Sequence, residues 1–184
     1  MKANKQLFVA LGLMILVTAL YRVMPNRPLG FAPQIAVALF AGSLFHKNKG
    51  YAFLLPLLSM FISDLMYHIL YINQLSTTEG FYNGQVENYI LIALTTIFGF
   101  GLQTNKIGKF SMNFFAAPTM YFLVSNFLVW SHGGGYQRPF TTAGLMQTMV
   151  DGLPFYPYSV ASTFVFGALL FGTHKLAQTR FKTA

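Results

Sequence analysis

Six long stretches of mostly apolar residues, almost without charge, run along this chain of 184 residues. They cover residues 7–21, 31–45, 51–71, 88–104, 110–130 and 153–172. A helix that crosses a bilayer needs about 20 mostly apolar residues with few charges. Only 9% of the residues are charged, against roughly 25% in soluble domains, which is too few to solvate a water-exposed surface. The sequence therefore predicts an all-α integral membrane bundle of six transmembrane helices, forming one domain over residues 1–184.

The basic residues separate cleanly between the two sides of these six predicted spans. If the N-terminus is inside, nine of the 12 Lys and Arg residues lie in cytoplasmic segments: Lys2, Lys5, Lys47, Lys49, Lys106, Lys109, Lys175, Arg180 and Lys182. Only Arg22, Arg27 and Arg138 lie on the other side. Because cytoplasmic loops carry an excess of Lys and Arg, we expect both termini in the cytoplasm. The longer outer loops, about residues 72–87 and 131–152, then form the predicted binding face.

Asp64 is the one acidic residue inside a predicted span, and His68 and Tyr71 follow it at i+4 and i+7. This spacing places a carboxylate, an imidazole and a phenol on one stripe of the helix. An ionisable group at that depth should face the bundle interior or a wet cavity, so the stripe predicts a ligand site. The alternative is an Asp64 that pairs with Arg22 or Arg138 only to assemble the bundle.

Further candidate ligand contacts follow in the outer half of the chain: Asn126, Trp130, His132, Tyr136, Asp151 and Tyr156. Asn126 and Trp130 are spaced i, i+4 and lie on one helix face. Glycines at 133–135 allow either a movable lid or a plain turn. Each of these residues also has a structural interpretation, as an interhelical hydrogen bond or an interfacial aromatic anchor.

Several kinds of chemistry are not indicated by the sequence. No Cys, P-loop or HExxH motif occurs, and no Ser lies in a nucleophile-elbow context. Asp64, His68 and His132 form at best a weak metal-ligand set, because no second carboxylate accompanies them. We therefore predict no metal, no cofactor, no enzymatic activity and no nucleic-acid partner. The net charge of +8 reflects orientation in the membrane instead.

The second predicted helix carries small residues at helical spacing: Ala32, Ala36, Ala38 and Gly42. Small residues let helix backbones approach closely. They serve either internal packing, which is the default expectation, or the docking of another membrane subunit.

Five segments together carry a resemblance to a known family. They are RVMPNRPLGFAP at 22–33, AVALFAG at 36–42, LPLLSMFISD at 55–64, SNFLVW at 125–130 and GLPF at 152–155. Their order is similar to that in a family of small uncharacterised bacterial integral membrane proteins. That family, and the six short spans with an elaborate outer face, resemble the S components of energy-coupling factor transporters.

The resemblance implies a protein of the bacterial cytoplasmic (inner) membrane that binds a vitamin or related micronutrient. It also implies a transmembrane coupling subunit and ATPases as partners, with Ala32, Ala36, Ala38 and Gly42 as docking residues. Cobalamin is one candidate ligand, because solitary S-component-like cobalamin transporters exist in bacteria. Those transporters use a Cys to meet cobalt, so His68 or His132 would have to replace it here. A second departure is that the small-residue helix follows an additional first span.

Three other functions remain open at this point. A stand-alone channel or secondary carrier would use Asp64 and His68 as a proton or ion relay. A membrane enzyme acting on a lipid would use the same two side chains as acid and base. A scaffold for other membrane proteins would need neither residue.

Overall fold

The structure is a computed structural model that describes residues 5–102 and 107–182. Within these ranges the chain forms seven α-helices and no strand: α1 (Lys5–Val23), α2 (Gln34–Leu44), α3 (Lys49–Ile72), α4 (Gln85–Phe100), α5 (Ile107–Ser131), α6 (Thr142–Gly152) and α7 (Tyr156–Lys182). A 3-10 turn, Leu153–Phe155, joins α6 to α7, so Thr142–Ala177 is one continuous helical segment. The all-α prediction is confirmed. The predicted fourth span ends at residues 103–104, outside the described residues.

Three helical segments of the described chain are long and apolar enough to cross a membrane: Lys49–Ile72, Ile107–Ser131 and Thr142–Ala177. The prediction of six such helices is therefore too high. At a rise of 1.5 Å per residue, α2 is only about 16 Å long, whereas the hydrocarbon core of a bilayer is about 30 Å thick. The apolar part of α1 that the structure describes, Leu11–Val23, is also shorter than a full span.

The short helix α2 lies in the middle of the bundle and packs against α3, α4, α5 and α7. Every residue from 34 to 42 is buried. Gly42 packs backbone to backbone against α4, where a Cβ on Gly42 would lie 2.9 Å from the Cα of Gly99. Helices cross this closely only where both lack side chains.

The small residues of α2 lie mostly inside the bundle. Ala36 and Ala38 have no exposed surface, and Gly42 contacts Thr96 and Gly99 of α4. Ala32 is half-buried and lies in the wall of a cavity described below. Ala36, Ala38 and Gly42 thus take part in internal packing, the default expectation, and the docking of a partner by these residues stays a prediction.

Contacts between helices fix their directions. The Thr18 hydroxyl of α1 is hydrogen-bonded to the Ser59 hydroxyl of α3 at 2.8 Å. Arg22, four residues further along α1, forms an ion pair with Asp64, five residues further along α3. The two helices therefore run in the same direction. In contrast, α5 and α7 run in opposite directions, because Phe110 packs on Phe171 while Thr119 bonds Tyr156. Residues of the 24–33 loop line one hollow with the 73–84 loop and another with the 132–141 loop. These three loops therefore lie at one end of the bundle, called the upper end below.

Aromatic side chains fill the other half of the bundle. Phe110 stacks on Phe114 with ring centroids 4.2 Å apart, and Phe40 meets Phe171 edge to face at 5.1 Å. Phe114 also occupies the space above Gly167, where a Cβ would collide with its ring. Such pairs stabilise the bundle beyond their buried area.

Candidate functional site

A cavity of about 490 Å³ opens at the upper end of the bundle and is called the central cavity below. Its wall is formed by the end of α1, the 24–33 loop, the first turn of α2, and the facing parts of α5, α6 and α7. Four predicted ligand residues lie in this wall: Asn126, Tyr136, Asp151 and Tyr156. The structure thus brings together the part of the predicted site that comes from the second half of the chain.

Aromatic rings form one side of the central cavity. Phe122 of α5 and Tyr156 of α7 lie with ring centroids 5.0 Å apart, and Phe155 also lines the cavity. The Tyr156 hydroxyl is 2.7 Å from the hydroxyl of Thr119, while the Tyr121 hydroxyl donates to Asn88 at 3.1 Å. Fixed hydroxyls hold these rings in place, which suits them to pack against a flat organic molecule.

Asn126 supplies a polar group on the same side. Its amide nitrogen donates to the Phe122 carbonyl at 2.8 Å. Its side chain lies directly against Gly152 of α6, where a Cβ would come within 2.8 Å of the Asn126 Cγ. The glycine therefore makes the room that Asn126 occupies at the cavity wall.

Gln34 is a residue of the cavity wall that sequence reasoning missed. Its side chain is only 5% exposed, and neither its amide nitrogen nor its amide oxygen has a hydrogen-bond partner in the described residues. Buried amides are nearly always paired, so this side chain stands out. The available signal was a single polar residue at the start of an otherwise apolar, small-residue helix.

Two arginines of the predicted outer side also line the central cavity. Arg22 lies in the last turn of α1, where it pairs with Asp64 and donates to the Ser63 hydroxyl at 2.6 Å. Arg27 donates from Nε to the Arg22 carbonyl at 2.8 Å and from a terminal nitrogen to the Phe31 carbonyl at 3.3 Å. Arg27 thus folds the 24–33 loop over the end of α1.

Asp64 lies at the centre of a hydrogen-bond network instead of in the central cavity. Its carboxylate, 1% exposed, accepts from Arg22, from the Gln85 amide and, at 2.7 Å, from the Tyr89 hydroxyl. With Tyr71 it borders a second, open hollow of about 1430 Å³ between residues 22–29 and 64–82. This pairing with Arg22 is the arrangement that was considered as the structural alternative.

The other residues of the predicted α3 stripe do not converge on Asp64. The His68 imidazole is exposed and packs against the Phe81 ring, 5.7 Å between centroids. Tyr71 is 41% exposed. The backbone of Gly80 lies against α3 between Asp64 and His68, where there is no space for a Cβ.

The loop at 132–141 closes over the central cavity and is fastened at two points. The Trp130 indole donates to the Pro139 carbonyl at 2.9 Å and packs against Phe140. Arg138 forms two hydrogen bonds to Asp151 of α6, at 2.9 and 3.0 Å. These bonds to Asp151 raise the pKa of the Arg138 guanidinium above its usual value. Trp130 therefore positions the loop, since it does not line the cavity.

The glycines in this loop adopt backbone angles that other residues avoid. Gly133 and Gly135 have φ angles of 64° and 60°, in the left-handed region that favours glycine. The turn places Tyr136 in the cavity wall, with the Arg138 guanidinium 5.4 Å from its ring. His132 is exposed and borders neither hollow.

The metal-ligand set considered from the sequence is not assembled. Across residues 5–102 and 107–182, no three His, Asp or Glu side chains lie close enough to hold a metal ion. Asp64 is buried in its network, whereas His68 and His132 are exposed at separate places.

Comparison with protein-family models identifies the family of this chain. Residues 2–184 match a family described as a family of unknown function, DUF6580. No curated protein and no solved structure matches the chain. The predicted resemblance to an uncharacterised family is confirmed over nearly the whole chain, while the link to S components stays a prediction.

Proposed function

The chain belongs to DUF6580, a family of unknown function, and we propose from its geometry that it is a solute-binding membrane protein that holds a small organic molecule in the central cavity. The observation that carries the proposal is the cavity itself, lined by aromatic rings and by a few polar groups that include the unpaired amide of Gln34. Ligand sites are typically clefts of about 300–1,000 Å³ with mostly apolar walls and few polar groups. The volume of about 490 Å³ falls in that range.

The proposed biological role is uptake of a vitamin or related micronutrient, by a protein similar to an energy-coupling factor S component. Support comes from the resemblance in the sequence and from a cavity that lies at the predicted outer face. In this proposal both termini are cytoplasmic and the membrane is crossed six times, with the short helix α2 enclosed by α3, α4, α5 and α7. A membrane helix shorter than the bilayer is tolerated where protein surrounds it.

The cavity favours a micronutrient smaller than cobalamin. Cobalamin is a macrocycle with an appended nucleotide and is far larger than a drug-sized molecule, whereas the central cavity holds about 490 Å³. In addition, His68 and His132, the candidate cobalt ligands, lie outside the cavity wall. A single flat ring system with polar substituents fits the aromatic side better.

Transport energy would come from partner subunits in this proposal, a coupling protein and ATPases of the energy-coupling factor type. Residues 34–42 of α2 are buried, so we propose the surface for these partners on other helices. The lipid-facing sides of the long helices α3, α5 and α7 carry exposed apolar side chains such as Leu65, Phe115 and Leu169. The coupling protein would pack on such a surface.

Native mass spectrometry of the full chain, extracted gently from its host membrane, tests the proposed function. We expect a bound molecule of vitamin size. Ser125→Phe should abolish its binding, because Ser125 lines the central cavity and the added ring would fill it. Ser111→Phe is the matched control, since Ser111 lies on the same helix but does not border the cavity.

Two outcomes would contradict the proposal. One is a host-purified protein, folded by size-exclusion chromatography, that carries no small molecule. The other is a bound molecule that Ser111→Phe and Ser125→Phe affect alike, which would place it outside the cavity.

A further inference from the structure

The N-terminus of α2 faces the central cavity without a cap. The helix has 11 residues, its N-cap residue is Pro33, and no side chain accepts a hydrogen bond from its first turn. No acidic residue lies in that turn. Gln34 and Ile35, the first two residues of the helix, both line the cavity. The first N–H groups of a helix have no acceptor within the helix, and its dipole adds partial positive charge there. This end of α2 therefore favours the binding of a negatively charged group.

Gln34 provides an independent sign of a ligand at the same place. The side chain is 95% buried, given its 5% exposure, lies in the cavity wall, and leaves both amide atoms unpaired. An unpaired buried amide destabilises the fold unless something else bonds to it. A ligand oxygen that accepts a hydrogen bond from the amide nitrogen would pair one of these two atoms.

Arg27 adds a positive charge that no carboxylate offsets. All four acidic residues of the sequence lie in the described ranges, and the two ion pairs found there are Arg22–Asp64 and Arg138–Asp151. Arg27 lines the cavity and uses donors on Nε and one terminal nitrogen for backbone carbonyls. A guanidinium has five N–H donors, so several remain for a ligand.

We propose that these three features form a subsite for an oxyanion, and that the cavity ligand is a small aromatic organic anion. A carboxylate or phosphate of the ligand would accept hydrogen bonds from the first turn of α2, from the Gln34 amide nitrogen and from Arg27. Its ring would pack between Phe122, Phe155 and Tyr156. The inference rests on the proposed function and specifies its substrate class.

The test begins with the molecule released from the host-purified full chain after denaturation. Its charge at neutral pH and its partition between water and organic solvent are measured by mass spectrometry. A second arm measures binding of 2-naphthoate and of the uncharged 2-naphthamide by equilibrium dialysis. The full chain is held in phosphatidylcholine nanodiscs, and the binding measured with empty nanodiscs is subtracted. The variants are Gln34→Glu and Arg27→Gln. Gln147→Glu and Lys47→Gln are matched controls, exposed and outside the cavity wall.

We expect a water-soluble anion from the host, and at least tenfold tighter binding of 2-naphthoate than of 2-naphthamide. Gln34→Glu and Arg27→Gln should each remove that preference, while both controls keep it. An anionic phospholipid, released instead and lost in the same two variants, would support the subsite but contradict solute uptake. A neutral or cationic host molecule, or equal binding of the two probes, would contradict the oxyanion subsite. Such a result would not contradict the proposal that the cavity binds a solute. If no molecule is released and neither probe binds, both the proposed function and this inference are contradicted.

Discussion

Arg22 and Asp64 form an ion pair that joins the end of α1 to the middle of α3 inside the bundle. The carboxylate also accepts hydrogen bonds from Gln85 and Tyr89 of α4, so one buried acid connects three helices. A carboxylate with three partners has little capacity left for a ligand or for a relayed proton. The pair therefore acts first as a structural element, beside a cavity that uses other residues for binding.

The first prediction concerns the stability that this pair provides. Asp64→Asn and Arg22→Gln should each lower the thermal unfolding temperature, because removing one partner of a buried pair typically costs about 3–5 kcal/mol. The double variant should lose less than the sum of the two single losses, since it leaves no unpaired buried charge. The unfolding temperatures of all three variants are measured in the same detergent, with size-exclusion chromatography to monitor the fraction that stays folded.

Glu79→Gln is the control for this experiment, because Glu79 is an exposed acid that borders the open hollow. Its unfolding temperature should match that of the unchanged protein. An Asp64→Asn variant that keeps full stability but loses the bound solute would contradict our interpretation and make Asp64 a ligand contact.

The depth of Asp64 in an apolar stretch was enough to predict that it has a buried partner, and Arg22 was one of the two arginines considered. Gln85 and Tyr89 were not predictable as partners. The path of the 73–84 loop places α4 beside Asp64, and the sequence does not specify that path. The position of α2 was hidden for a different reason. An apolar helix that faces lipid and one that is enclosed by other helices can have the same composition, so the sequence of 31–45 did not show that this helix is enclosed.

The second prediction tests the packing of α2 on α4. Gly42→Ala should destabilise the protein by about 1–3 kcal/mol, the usual effect of overpacking a filled core. The new methyl group would meet the Thr96 carbonyl and the Gly99 backbone, neither of which can move independently of its helix. The measurement is again thermal unfolding.

Gly172→Ala provides the comparison, because a Cβ there meets nothing within 4 Å. A glycine replaced by alanine in an open helical position should be neutral or gain about 0.5–1 kcal/mol. Equal unfolding temperatures for the two variants would show that α2 and α4 do not cross at Gly42, and would leave Gly42 free to serve as a docking residue.

The third prediction addresses the loop over the central cavity. Arg138→Gln removes the two hydrogen bonds that hold residues 132–141 against α6. Because the two side chains are still 34% and 23% exposed, and ion pairs open to solvent add little to stability, the unfolding temperature should hardly change. The bound solute should nevertheless dissociate faster, by roughly tenfold, since fastened loops mainly slow ligand release.

A time course of native mass spectra after dilution measures the release rate. Arg138→Lys keeps the charge near Asp151 and should fall between the unchanged protein and Arg138→Gln. If both variants release the solute at the original rate, the loop is a static part of the wall and not a lid.

The candidate site was only partly predictable. Asn126 was identified because a polar group deep in an apolar helix needs a partner, and Tyr156 because an aromatic ring at the outer end of a helix suits a flat ligand or the membrane interface. Gln34 was missed, since nothing in the sequence tells whether a polar side chain at a helix start is bonded. His68 and Trp130 were included because helical spacing predicts a shared face, although it does not predict which neighbouring loop covers that face.

The fourth prediction concerns orientation, on which solute uptake depends. The sequence has no Cys, so single cysteines can be introduced without a native background. Thr77→Cys lies exposed in the 73–84 loop at the upper end, whereas Lys47→Cys lies exposed in the connection between α2 and α3 at the opposite end. If cytoplasmic loops hold the Lys and Arg excess, Thr77→Cys reacts with a membrane-impermeant maleimide in intact bacteria, and Lys47→Cys reacts only after permeabilisation. The reverse pattern would open the central cavity to the cytoplasm, and uptake from outside would then be excluded.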